Sequence, residues 1–160
     1  MTFPDRKFTD IGSYVDAYFC KINDAAATID KERLEQAANI LTKVYKEGGV
    51  VYSCGNGGST AIANHLACDH CKLVQTDTTL SPRIVSLSTT VEMITAIGND
   101  ISFDEIFVYQ LRSLAKPGDI LITISSSGNS ENIVRAAMWA KENRIKVSKK
   151  AIEPRRFPRD

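Results

Sequence analysis

Two short stretches constrain this chain more than anything else in it. Ser53-Cys-Gly-Asn-Gly-Gly-Ser-Thr60 and Ile124-Ser-Ser-Ser-Gly-Asn-Ser130 each stand where an apolar run gives way to a helical pattern. A strand that turns directly into a helix is the repeating step of a parallel α/β sheet. Glycines let such a turn pass close to a ligand, the first N–H groups of the following helix lack partners inside it, and serine hydroxyls add donors. Two such loops in one chain therefore point to a phosphorylated small molecule.

The remaining periodicity fits that reading. Ile11, Val15, Tyr18, Phe19 and Ile22 recur at helical spacing over 11–29, and Leu34, Ala37, Ala38, Leu41, Val44 and Tyr45 repeat the pattern up to Gly48-Gly49. Short, β-branched apolar runs predict strands at 50–54, 82–87 and 119–124, with a fourth beginning at 145–147. Helices are predicted from 59 to about 72, over 91–97, over 103–115 and over 129–142, with 76–79 as a polar loop. This alternation defines a three-layer, doubly wound parallel sheet with right-handed crossovers, preceded by two helices. Those two helices carry more apolar surface than a three-stranded sheet can cover, so self-association is expected.

Composition narrows the partners. At 160 residues the chain has the length of one domain, and 20 basic against 19 acidic residues leave no global field to favour nucleic acid or an anionic membrane. No apolar run approaches the ~20 residues that span a bilayer, and the mixed charge of residues 1–10 is unlike a signal peptide, so a cytoplasmic location is expected. Cys20, Cys54, Cys68 and Cys71 are unevenly spaced in a chain without secretory features, which favours reduced thiols. Residues 148–160 hold Lys149, Lys150, Arg155, Arg156 and Arg159 with two prolines and few apolar residues, and are expected to be a disordered, solvated tail on a domain spanning 1–147.

Cys54-Gly-Asn-Gly-Gly-Ser59, the Gly98-Asn-Asp100 turn and Ser125-Ser-Ser-Gly-Asn-Ser130, with His65 and Asp69 between the first two, resemble the sugar isomerase (SIS) domain, and within it the phosphoheptose isomerases. The resemblance runs from about Ile11 to Val147. It implies a five-stranded parallel sheet flanked by helices, a homotetramer or dimer with sites at subunit contacts, and isomerisation of sedoheptulose 7-phosphate in heptose synthesis for lipopolysaccharide. Carried onto this chain, it implies sugar contacts from Asn56, Gly57, Gly58 and Ser59, a phosphate cradle from Ser125, Ser126, Ser127 and Ser130, and further substrate contacts from Asn99 and Asp100. His65 corresponds to a zinc ligand, and Asp69 stands where the family has a glutamate that is both zinc ligand and catalytic base. The family's remaining zinc ligands, a glutamine and a histidine on a C-terminal helix, have no counterpart, since no histidine follows His70. The expectation is a shifted frame or truncation near Ser148, a missing C-terminal strand and helix, and weakly held zinc.

The chemistry demanded by an aldose–ketose isomerase suits these residues. Moving a proton between adjacent carbons through an enediol needs a base for the C–H proton, an acid or metal for the carbonyl oxygen, and a grip on the phosphate. His65 and Asp69, four apart, share a helical face, and Asp69 is the candidate base. As a purely structural alternative, the pair is a polar helix face, and Ser59, Ser127 or Asn129 act only as helix caps. The dense run of His65, Cys68, Asp69, His70 and Cys71 also invites a metal site. Without a second Cys/His pair, small buried cysteines packing a helix are the expected reading. From a different functional class, the chain is alternatively a non-catalytic SIS module that binds a sugar phosphate as a sensor, or a protein such as a replication initiator.

Overall fold

The computed structural model describes residues 3–148. The chain divides into two compact units, with the boundary between Ala38 and Asn39 inside the second helix.

The first unit is helical. Asp10 caps α1 (Ile11–Ala27) by accepting the Ser13 N–H at 2.8 Å, and Asp30 accepts the Arg33 N–H at the start of α2 (Lys31–Lys46). Phe3, Phe8, Tyr14 and Tyr18 cluster with ring centroids 5.3–6.3 Å apart. The helical stripe predicted for α1 forms, yet α1 buries none of its residues, and Ile11, Tyr18, Phe19 and Ile22 remain exposed.

Among the described residues the second unit holds a four-stranded parallel sheet of β1 (Val51–Gly55), β2 (Ile84–Ser86), β3 (Ile120–Ile124) and β4 (Lys146–Ser148), in the order β2-β1-β3-β4. Alternation along the strands sorts the side chains into two layers. Tyr52, Cys54 and Leu121 pack with Leu87, Ile97, Phe107, Leu111, Ile133, Ala136 and Ala140, which belong largely to α5 (Val91–Asp100), α6 (Val108–Leu114) and α7 (Glu131–Glu142). Val51 and Ile120 point the other way, against Val44 and Tyr45 of α2. On that same face Ser53 Oγ donates to the Ala63 carbonyl of α3 (Gly58–Asp69), so helices cover both sides of the sheet.

Several boundaries differ from the periodicity reading. The helix predicted to end near residue 72 continues past α3 through a π-helical turn, His70–Val74, into α4 (Gln75–Asp77), and the backbone turns extended only at Thr78. The single helix predicted over 103–115 is a 3-10 turn, Phe103–Glu105, followed by α6, because Ser102 Oγ accepts the Asp104 N–H and starts a tighter coil. Asn99 and Asp100 form the last turn of α5 rather than a separate turn after it. Cys68 and Cys71, expected to pack inward, are exposed, since Ala63 is the buried residue of α3; Cys54 on the central strand is the buried thiol. Burial alone pushes its pKa up to about 12. The basic tail lies almost wholly outside the described residues.

Candidate functional site

The strand order fixes where a ligand belongs. From β1 the chain crosses to β2 on one side, and β3 then enters on the other, so the crevice between the carboxyl ends of β1 and β3 is the switch point of the sheet. Gly55 and Ile124 pair in register at those ends, which delivers both glycine/serine loops to the same crevice.

The first loop is held by its backbone. Gly57 takes a φ of +53°, a left-handed conformation costly for any side chain, and starts α3 with no side-chain cap. Ser88, buried after β2, accepts the Gly55 N–H at 3.2 Å and donates to the Gly55 carbonyl at 3.1 Å, and Thr60 Oγ1 donates to that same carbonyl. Asn56 projects toward α7 and meets the Asn132 carboxamide in a reciprocal pair at 2.8 and 3.0 Å. Gly57 and Gly58 are exposed, and Ser59 is half-buried inside the first turn of α3.

The second loop folds on its own hydroxyls. Ser125 Oγ accepts the Gly128 N–H at 3.1 Å, and Ser127 Oγ accepts the Asn129 N–H at 3.3 Å. Ser130 is the residue that precedes α7, and its side chain makes no capping bond, so helix capping does not explain its hydroxyl. Neither Ser127 nor Asn129 occupies the cap position, and Ser59 does not cap α3. On the β4 side of this loop a cavity of about 640 Å³ runs between α7 and β4, lined mainly by apolar residues such as Ile133, Val134, Met138 and Val147.

His65 and Asp69 stand apart from this crevice. They share one face of α3, His65 Nε2 lying 3.4 Å from Asp69 Oδ1, and both line a shallow open cleft with Ala61, Ile62 and Leu66. His65 is about 10 Å along the helix from Gly58, two turns beyond the loop. Asn99 and Asp100 are exposed and bonded to each other at 2.7 Å, with no hydrogen bond to either loop among the described residues. Behind Asp69, the Tyr45 hydroxyl bonds His70 Nδ1. Burial lowers the His70 pKa, Asp69 opposing it, while burial and the nearby Cys71 raise that of Tyr45.

Zinc in a catalytic site takes three protein ligands and an open position. His65 and Asp69 supply two, and the described residues contain no group of three or more His, Cys, Asp or Glu side chains placed to hold an ion. The donor set is one short, and no catalytic step can be built through zinc from these residues.

Asn132 was not singled out from the sequence, although a signal exists. Asn132, Ala136 and Ala140 recur at i, i+4 and i+8 and are all at most 2% exposed, so a carboxamide occupies a position on the buried stripe of α7.

A doubly wound sheet carrying two glycine/serine loops at its switch point defines the class of this domain as α/β with a parallel sheet. The chain belongs to the SIS domain family, matching it over residues 14–148. It is 46% identical over 112 residues to the phosphoheptose isomerase of Alteromonas mediterranea, covering 70% of this chain and 56% of that protein. The phosphoheptose isomerase of Chlorobaculum tepidum is 35% identical over 132 residues, covering 81% of this chain and 63% of that protein. The solved structure of phosphoheptose isomerase GmhA from Neisseria gonorrhoeae superposes with a TM-score of 0.77 at 35% identity, over 86% of this chain and 73% of that one. The chain thus spans less than two thirds of the length of these sequence relatives.

Proposed function

We propose that this chain is a phosphosugar isomerase of the phosphoheptose type, converting sedoheptulose 7-phosphate to glycero-manno-heptose 7-phosphate in the cytoplasm. The observation that carries the reading is the pairing of Asn56, on the first loop, with Asn132, in the helix that follows the second loop, at the switch point of the sheet, in a chain whose relatives are named phosphoheptose isomerases.

In this reading the serine loop and the start of α7 hold the phosphate through Ser125, Ser126, Ser127 and Ser130, and Asn56, Gly57, Gly58 and Ser59 contact the sugar. Asn99 and Asp100 add polar contacts. Asp69 removes the proton from the hydroxymethyl carbon beside the carbonyl, while the carbonyl oxygen gains a proton. The resulting enediol takes a proton at the former carbonyl carbon as the neighbouring hydroxyl loses its own. His65, beside Asp69, shares the substrate oxygens. Because the pair lies two turns from the loop, we read the site as one completed at a contact between copies, with the exposed apolar residues of α1 as the self-association surface. Among the described residues His65 and Asp69 are the two that would contribute to holding zinc, and two ligands hold it weakly.

The test is conversion of sedoheptulose 7-phosphate by the purified chain, with and without zinc, followed by NMR of the sugar. Turnover that falls at least ~100-fold in Asp69→Asn with ligand binding retained supports the enzyme. Binding without turnover in the unaltered chain supports the second reading, a phosphosugar-binding module, which the two-ligand donor set favours.

A further inference from the structure

We infer that Asn132 is a positioning residue for the sugar-contacting loop, fixing the plane and the donor–acceptor sense of the Asn56 carboxamide. The inference rests on the reading of Asn56 as a sugar contact.

Asn132 stands on the buried stripe of α7 and is 2% exposed, and the two residues that follow it on that stripe, Ala136 and Ala140, are alanines. Packing alone asks for nothing polar there. A carboxamide removed from water is costly unless its donor and acceptor are both engaged. Among the described residues the side-chain hydrogen bonds of Asn132 go to Asn56, one in each direction. The carboxamide is therefore matched to Asn56, 76 residues away in sequence, and not to the helix that carries it.

The consequence falls on Asn56, which is only half-buried at the mouth of the crevice. The pair uses one N–H and one lone pair of Asn56, leaving its second N–H and second lone pair for a ligand. A free carboxamide would rotate about its terminal torsion and lose that freedom on binding. One already locked in both plane and sense presents donor and acceptor to fixed sides of the crevice. Because Asn132 sits two residues beyond Ser130, the lock also ties the orientation of Asn56 to the helix start that follows the phosphate loop.

The test is calorimetric titration of the full chain with sedoheptulose 7-phosphate and, separately, with inorganic phosphate, in the unaltered protein, Asn132→Leu, Asn56→Ala and the double variant. Loss of one oriented hydrogen bond predicts roughly tenfold weaker sugar-phosphate binding in Asn132→Leu. Its affinity for inorganic phosphate should change less than ~2-fold, and Asn132→Leu should have no further effect once Asn56 is alanine. Asn132→Ala removes the carboxamide without adding charge and carries the same comparison should the leucine variant not fold, with circular dichroism and melting as controls. Equal weakening toward both ligands, or the same loss in the Asn56→Ala background, would overturn the inference and make Asn132 a general support of the fold. An unaltered chain that binds the sugar phosphate no more tightly than phosphate would overturn the functional reading and this inference with it.

Discussion

Gly55 and Ser59 approach so closely at the turn from β1 into α3 that a Cβ on Gly55 would lie 2.6 Å from the Ser59 carbonyl oxygen and 2.8 Å from its Cβ. The obstructing atoms are largely backbone inside the first helical turn, which cannot swing aside as a flexible side chain would. Gly55→Ala is therefore expected to lower stability by roughly 1–3 kcal/mol and to displace the loop. Thermal denaturation checks the first effect and sugar-phosphate affinity the second; an unchanged melting temperature would show that the turn opens without cost.

Ser130 separates capping from ligand binding. Since its hydroxyl does not cap α7, Ser130→Ala should leave stability within ~0.5 kcal/mol of the unaltered chain while weakening phosphate binding several-fold. The reverse pattern, lost stability with unchanged affinity, would return the loop to a purely structural role.

Asp119 holds the opposite end of the sheet. Buried at the start of β3, its carboxylate accepts the Val50 and Lys116 N–H groups, each at 2.8 Å, and so ties the entrance of β1 to the turn before β3. Asp119→Ala strands both donors and should cost roughly 2–4 kcal/mol in denaturant unfolding. Asp119→Asn, which keeps one acceptor, should fall between.

The thiols provide a check on burial. Cys20, Cys68 and Cys71 are exposed, whereas Cys54 is buried and its pKa is pushed up to about 12. At pH 8 a disulfide reagent that reacts with thiolates should label three cysteines in the native chain and the fourth only after denaturation. Rapid labelling of all four would mean that the central strand opens readily.

The helix-rich α/β architecture and both loops were legible in the sequence because each depends on local order: short apolar strands such as Ile120–Ile124, and glycines directly after them. What local order could not supply are features made by distant partners. The Asn56 and Asn132 pair joins residues with no shared periodicity, and Gln110, buried on α6, is satisfied by the Leu87 carbonyl after β2 as well as by Ile106. The π-helical turn after Asp69 coincides with the bond from Tyr45 to His70, a contact across 25 residues that no helical pattern encodes. Cys68 and Cys71 were misread because residue type suggested burial, while the weakly amphipathic α3 leaves only Ala63 inside. His65 and Asp69 were correctly expected on one face, since spacing of four fixes that much, but spacing is silent on how far that face lies from the serine loop.

Both loops hang from the two inner strands, each five residues long, while among the described residues the outer strands, β2 and β4, contribute three residues each. Fraying in such a sheet begins at its borders, where amides have a neighbour on one side only. Hydrogen exchange should then be slowest at Tyr52, Ser53, Leu121 and Ile122, with the borders exchanging first. The loop-bearing end is then suspended from the part of the sheet expected to open last, so it keeps its geometry through border fluctuations.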